Sequence, residues 1–326
     1  MRRSIVLLLC VLLLFTACSS GGSGYYTREI YCMNTVITIN VADNVKNIEG
    51  ICNNVVYYIY EAESRLSATV SDSAVSRFNS AGAEYEAEGD FLAVMEYAID
   101  ISQKTQGAYD PTVLSLTRLW NITEGGYLPS ENEINMALFN VDYSALSING
   151  NTITKSSAVC VDLGGIAKGY TLGKVVSTLS EKTPYGMVSF GGNVGVWGQK
   201  PAGGLWEIGI KDPFDAEGVV GKIITDSGFV SVSGDYERYF EVSGKKYHHI
   251  FDPKTGYPAD NGLHSVAVYT KDAALGDALS TALFVMGYDK AMELYNSGIY
   301  DFEALFVTDD DILMTKGMEE MFTYEN

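Results

Sequence analysis

Asp277 and Thr281 stand four residues apart in Ala273 to Met286, a stretch whose apolar residues recur at helical spacing. That spacing aims a carboxylate and a hydroxyl from one helix face toward the same place. Two hard oxygens so placed suit magnesium or calcium; magnesium keeps few protein oxygens and completes its shell with substrate phosphates and water. Taken alone, an aspartate and a threonine at this spacing are usually a solvated face or a local hydrogen bond. Asp162-Leu-Gly-Gly-Ile-Ala-Lys-Gly-Tyr170 adds a second kind of chemistry. It reads as a strand end, a glycine turn and a first helical turn, where free amides and the Lys168 ammonium would take a pyrophosphate. It is neither a GxGxxG fingerprint nor a Walker A loop, because Gly169 follows Lys168. A tight turn beside a surface lysine is the bland alternative.

Ser189-Phe-Gly-Gly-Asn193 and Ser233-Gly-Asp-Tyr-Glu-Arg-Tyr239 again join glycines to polar groups that handle phosphate or metal. Gly107 to Val113 holds Asp110-Pro111, a turn signal at a helix end. All three histidines lie late in the chain, as His248, His249 and His264. If His248 and His249 sit on a strand, only one of them faces a given side. Asp252, in the run that ends at Gly256, either orients that histidine or caps the turn.

These groups need a scaffold. Glu29 to Val41 alternates like one half-buried strand, and Val45 to Ile59 carries apolar residues at helical spacing. Gly89 to Thr105 predicts a second long helix. Asn149-Gly150 predicts a hairpin turn, and a helix is expected after Gly164-Gly165. Short strands follow between Met187 and Ser233, then the helix Ala273 to Met286 and closing segments around Phe302 to Val307 and Ile312 to Thr315. Ser64 to Asn79 reads as a substrate-side loop or a helix cap. Hairpins mixed with helices favour an α+β fold over a doubly wound parallel sheet, and no repeat or proline-rich linker divides the chain.

Met1-Arg-Arg and the apolar run Ile5 to Phe15 have the form of a secretory signal, too short for a stable bilayer crossing. Phe15-Thr-Ala-Cys18 resembles a lipobox, with Cys18 as the lipidated first residue of the mature chain and Ser19 to Gly24 as a flexible tether. The expected division is 1–17 signal peptide, 18–28 lipidated cysteine and tether, and 29–326 one catalytic domain. The expected location is outside the cytoplasm, anchored by lipid to a bacterial membrane. Cys10 would leave with the signal; Cys32, Cys52 and Cys160 form no disulfide framework or zinc spacing. The formal charge of −19 becomes −21 once Arg2 and Arg3 are removed. Such a surface repels nucleic acid, so an anionic ligand must be held by local amides, lysine and a divalent cation.

In order and spacing these runs closely resemble the ApbE family, the FAD:protein FMN transferases, from about Met33 to about Gly287. The resemblance implies a T-fold-like arrangement of mixed sheets and helices in two closely packed lobes, with FAD in the cleft between them. It assigns Met33, Ala108, Tyr109, Asp110, Asp162, Lys168, His249 and Ile250 to FAD. It assigns Asp277, Thr281 and the Gly165 carbonyl to Mg²⁺. Asn34 stands where the family carries glycine, and Tyr109 where phenylalanine is frequent. The implied activity moves FMN from FAD to a threonine of an extracytoplasmic flavoprotein and releases AMP, with His249, Asp277 and Lys168 as the catalytic candidates. The rivals are an FAD pyrophosphatase using the same site on water, and a non-catalytic FAD-binding lipoprotein.

Overall fold

The computed structural model describes residues 24–325; the expected leader and Cys18 lie outside the described residues. The scaffold is an eight-stranded sheet: β1 (Tyr25–Cys32), β2 (Thr35–Ala42), β3 (Gly186–Phe190), β4 (Asn193–Trp197), β5 (Gly228–Gly234), β6 (Leu263–Thr270), β7 (Glu303–Thr308) and β8 (Ile312–Met314). The strands lie side by side in chain order, and every neighbouring pair is antiparallel. Four long helices are inserted between them: α1 (Ile48–Leu66), α2 (Gly89–Lys104), α3 (Ala167–Ser180) and α4 (Ala273–Ser297).

Alternation along the strands sends side chains to two different cores. Val188, Val266, Val268, Ala304 and Phe306 pack on the helical face with residues of α1, α3 and α4. Val196, Val230, Ala267, Leu305 and Val307 pack on the opposite face. That face is covered by a second sheet of Trp206–Lys211, Val219–Thr225 and Phe322–Tyr324. The long insertion between β2 and β3 builds its own core, in which Phe78, Phe91, Met95 and Ile153 meet Ile166 and Tyr170. A smaller cluster around Trp120 joins Leu116, Ile134 and Phe251. The α+β expectation, sheets mixed with helices, holds.

Three local expectations are corrected. Glu29 to Val41 is a hairpin and not one strand, turning at Met33 and Asn34, which both have positive φ, 51° and 58°. A two-residue turn of that kind matches strand twist and favours asparagine or glycine, which explains Asn34. In the second hairpin the two turn residues are Gly150 and Asn151, one position later than expected, because Asn149 pairs with Thr152. Helix α4 runs on past Met286 to Ser297, interrupted at Gly287 (φ 74°, ψ 167°).

Candidate active site

The first turn of α3 and the second turn of α4 touch because Gly169 has no side chain. A Cβ there would lie 2.2 Å from the Ala273 carbonyl oxygen and 2.5 Å from the Asp277 Cβ. The close approach lets the Gly169 N–H donate to Asp277 Oδ2 at 2.8 Å, while the Asn193 amide donates to Oδ1 at 3.0 Å. Lys168 Nζ is 4.0 Å from Oδ1 and donates to the Gly164 carbonyl at 3.1 Å. The Asp162 carboxylate closes the glycine turn by accepting from the Gly164 N–H at 2.9 Å. One turn beyond Asp277, Thr281 Oγ1 is 3.3 Å from Ser233 Oγ. A Cβ on Gly165 would fall 3.6 Å from Thr281 Oγ1 and 3.2 Å from the Tyr109 ring. Gly165, Lys168, Asp277 and Thr281 therefore share one wall of a single cleft.

Ala108, Tyr109 and Asp110 form part of the facing wall. Tyr109 is buried, and its hydroxyl has no hydrogen-bond partner within the protein. Burial pushes that phenol well above its ordinary pKa, and the charges of Asp277, Asp162 and Asp110 push the same way. Asp110 lines the cleft, but its carboxylate is occupied in building the loop. Oδ1 accepts from the Thr112 N–H and hydroxyl at 2.8 and 2.6 Å, and Oδ2 accepts from the Tyr143 N–H at 3.3 Å. Burial raises its pKa against the pull of those bonds.

The histidine pair divides at the end of a strand, with His249 just beyond it. His248, the last residue of the strand Lys245–His248, is buried; its Nε2 sits 2.9 Å from the Ala259 carbonyl and its ring meets Phe284 edge-on. His249 and Ile250 line the cleft. His249 Nδ1 lies 3.3 Å from the Arg238 carbonyl, which also accepts the His249 backbone N–H. A hydrogen on Nδ1 suits that contact, which leaves Nε2 as the acceptor of a neutral ring. Burial first, then the positive charges of Arg238, His248 and Lys168, push His249 down to about 3. Asp252 caps its turn by accepting from the Lys254 N–H at 2.9 Å, so its carboxylate does not orient the histidine.

Met33 is the one assigned FAD residue that does not line this cleft. Its N–H donates to Glu63 at 2.7 Å, and its side chain packs against two of the cores. Ser64 to Asn79 is structural, with Ser73 capping the helix Ala74–Ser80 and Asn79 bridging to the Val161 backbone. Asn193, Glu237 and Arg238 line the cleft and had no assigned role, although all three lie inside the glycine-bearing runs. Glu237 reaches solvent at its edge, yet crowding by the cleft wall raises its carboxyl, with Lys168 and Arg238 opposing. Cys32, Cys52 and Cys160 are free thiols.

Among the described residues no group of three or more His, Cys, Asp or Glu side chains could hold a metal by itself. A cation at this wall would rest on one carboxylate and neutral oxygens. The donor set fits magnesium, which leaves most of its shell to phosphate and water. Two residues that line the cleft, Tyr109 and Asn193, also carry buried polar atoms, the hydroxyl and Oδ1, with no hydrogen-bond partner within the protein.

An antiparallel sheet backed by helices, with a glycine-lined cleft offering carboxylates, a lysine, an arginine and several hydroxyls, defines an α+β protein built around a phosphate-bearing ligand. The same fold occurs in the crystal structure of the ApbE protein of Thermotoga maritima, with TM-score 0.84 and 32% identity over 91% of this chain and 99% of that one. It also occurs in the flavin transferase ApbE of Vibrio cholerae, with TM-score 0.81 and 27% identity over 91% and 99%. The ApbE family model matches residues 33–306, and the chain belongs to that family. A relative from Haemophilus influenzae named FAD:protein FMN transferase is 32% identical over 90% of this chain and 86% of its own length.

Proposed function

We propose that the protein is an FAD:protein FMN transferase that moves the FMN moiety of FAD onto a threonine hydroxyl of an acceptor protein and releases AMP. The observation that carries this reading is the cleft wall where Lys168, Asp277 and Thr281 meet the Gly164-Gly165 turn. It offers the Lys168 ammonium to a pyrophosphate, together with oxygens suited to Mg²⁺, while the Gly164 and Gly169 amides are spent on Asp162 and Asp277 and those of Ile166 and Ala167 on the Leu163 carbonyl. Bound Mg²⁺ would neutralise phosphate charge and ease departure of the AMP group. The acceptor oxygen forms a bond to the FMN phosphorus as the phosphoanhydride bond to AMP breaks, and the hydroxyl proton passes to a base. His249 Nε2 is the candidate, because its partner nitrogen is tied to Arg238. Lys168 holds the pyrophosphate, while Asp277 and Thr281, with the Gly165 carbonyl, hold the cation. The N-terminal pattern ending in Cys18 supports a lipid anchor and an acceptor outside the cytoplasm.

The test is mass spectrometry of a threonine-bearing acceptor domain incubated with the soluble chain, FAD and Mg²⁺, alongside an assay for AMP. The expected product carries the added mass of FMN and disappears when the acceptor threonine becomes alanine. AMP without labelling would instead establish the pyrophosphatase, and bound FAD with neither product the carrier. Asp277→Ala is expected to lower transfer at least about 100-fold, the scale of losing a main electrostatic contact to the reacting group. FAD binding should survive that change.

A further inference from the structure

Asp277 accepts two short hydrogen bonds, from the Gly169 backbone to Oδ2 and from the Asn193 side chain to Oδ1. An ionised carboxylate can only accept, so Asn193 must turn its NH₂ group toward Asp277. The amide orientation is thereby fixed, and its oxygen is forced to the other side. Asn193 is 2% exposed and lines the cleft, and its Oδ1 has no partner within the protein. Buried side-chain oxygens without partners are rare in native proteins, and an ion or water is a common reason for one.

The backbone under Asn193 is held on both sides. Asn193 opens β4 directly after Gly191-Gly192, pairs with Phe190 across that turn, and pairs with Ser231 of β5. An amide so anchored keeps its orientation without help from a ligand. Its position next to the α3–α4 contact puts it beside the carboxylate most suited to a cation. The Ser189-to-Asn193 run, which the assigned site residues leave unused, acquires a purpose.

Resting on the cation reading of the preceding subsection, we propose that Asn193 is a positioning residue that locks the Asp277 carboxylate with its NH₂ group and turns Oδ1 to the shell of the cation, as a ligand or as acceptor from a cation-bound water. Groups that orient a metal-ligating carboxylate change affinity as well as rate, so the role is measurable without turnover.

The experiment is a Mn²⁺ titration followed by electron paramagnetic resonance on the full soluble chain saturated with ADP, which supplies the pyrophosphate half of FAD and cannot transfer flavin. Asn193→Ala removes both groups and should weaken Mn²⁺ binding about 10- to 100-fold, while Asn193→Gln, which keeps both the NH₂ donor and the oxygen, should remain within about fivefold of wild type. If the smaller side chain unfolds the protein, Asn193→Leu, nearly isosteric and without oxygen, takes its place. Mn²⁺ binding unchanged in the oxygen-free variant, or weakened equally in both variants, would overturn the role of Oδ1. A wild-type chain with no Mn²⁺ site would overturn the cation reading itself, and this inference with it.

Discussion

At the scale of single residues, the histidine has a protonation problem. His249 is held near 3, well below an ordinary imidazole, by burial and by neighbouring positive charge. It is therefore neutral throughout the physiological range, ready to accept a proton but with little affinity for one while the cleft is empty. Anionic phosphates nearby would raise that affinity, because an opposite charge favours the protonated ring. The expected outcome in a histidine-selective NMR titration of ligand-free protein is that the His249 ring shifts do not move between about pH 5.5 and 8, where an unperturbed histidine would titrate. The stability consequence follows from the sign of the shift. The unfolded chain binds the His249 proton as pH falls through about 6.5 and the folded chain does so only near 3, so folding stability drops across that window as pH falls. His249→Gln should flatten that part of a thermal-melt profile. The site was partly legible at this scale: Asp277 and Thr281 line one cleft as their four-residue spacing implied, and Lys168 joins them as the family likeness implied. The exceptions have physical reasons. Met33 is taken up by the hairpin turn and by Glu63, and the Asp110 carboxylate is used to build its own loop. Asn193 was not legible as a partner of Asp277, since nothing local in sequence announces a contact across 84 positions.

At the scale of elements, the site depends on how closely α3 approaches α4. A glycine inside a helix usually costs about 1 kcal/mol relative to alanine, so Gly169→Ala would stabilise an isolated helix. Here the new Cβ would collide with the Ala273 carbonyl and the Asp277 Cβ, and neither can rotate away. Gly169→Ala is expected to destabilise the fold by about 1–3 kcal/mol, the scale of overpacking a tight interface. Urea unfolding should show this as a lower midpoint with an unchanged slope. Transfer should fall further than stability alone implies, because the Gly169–Asp277 hydrogen bond stretches as the helices part. An unchanged midpoint would mean that the helices have room to separate. Long helices and strand alternation were readable because each repeats its signal over many residues. The β1–β2 turn was missed for an instructive reason. The core-facing residues are Ile30 and Cys32 before the turn but Ile37, Ile39 and Val41 after it, so the buried face passes from even to odd positions. That change of parity marks a two-residue turn, and it is hidden when the stretch is scored as one alternating run.

At the scale of the whole molecule, the cleft gathers segments spread over more than 150 residues of chain, from Ala108 to Thr281, against an overall formal charge of −19. Short-range patterning could suggest an α+β class but could not bring these segments together; that came from their likeness to a family. The charge sets the two ligands of the site against each other. A negative surface slows the approach of anionic FAD and concentrates a divalent cation, and salt weakens both effects because the screening length shrinks to about 8 Å at physiological ionic strength. Stopped-flow association of FAD with the soluble chain is therefore expected to quicken as monovalent salt rises from about 20 to 150 mM, while Mg²⁺ binding weakens over the same range. Lys168→Gln should slow FAD association at every salt concentration without reversing its trend, since it removes a local donor and leaves the surrounding field in place. FAD association that slows with salt would show that Lys168 and Arg238 at the mouth outweigh the acidic surface. In that case the capture of FAD would be electrostatically driven by the cleft itself. Otherwise the field opposes capture, and affinity must come from contacts made only after the pyrophosphate reaches the Gly164-Gly165 turn.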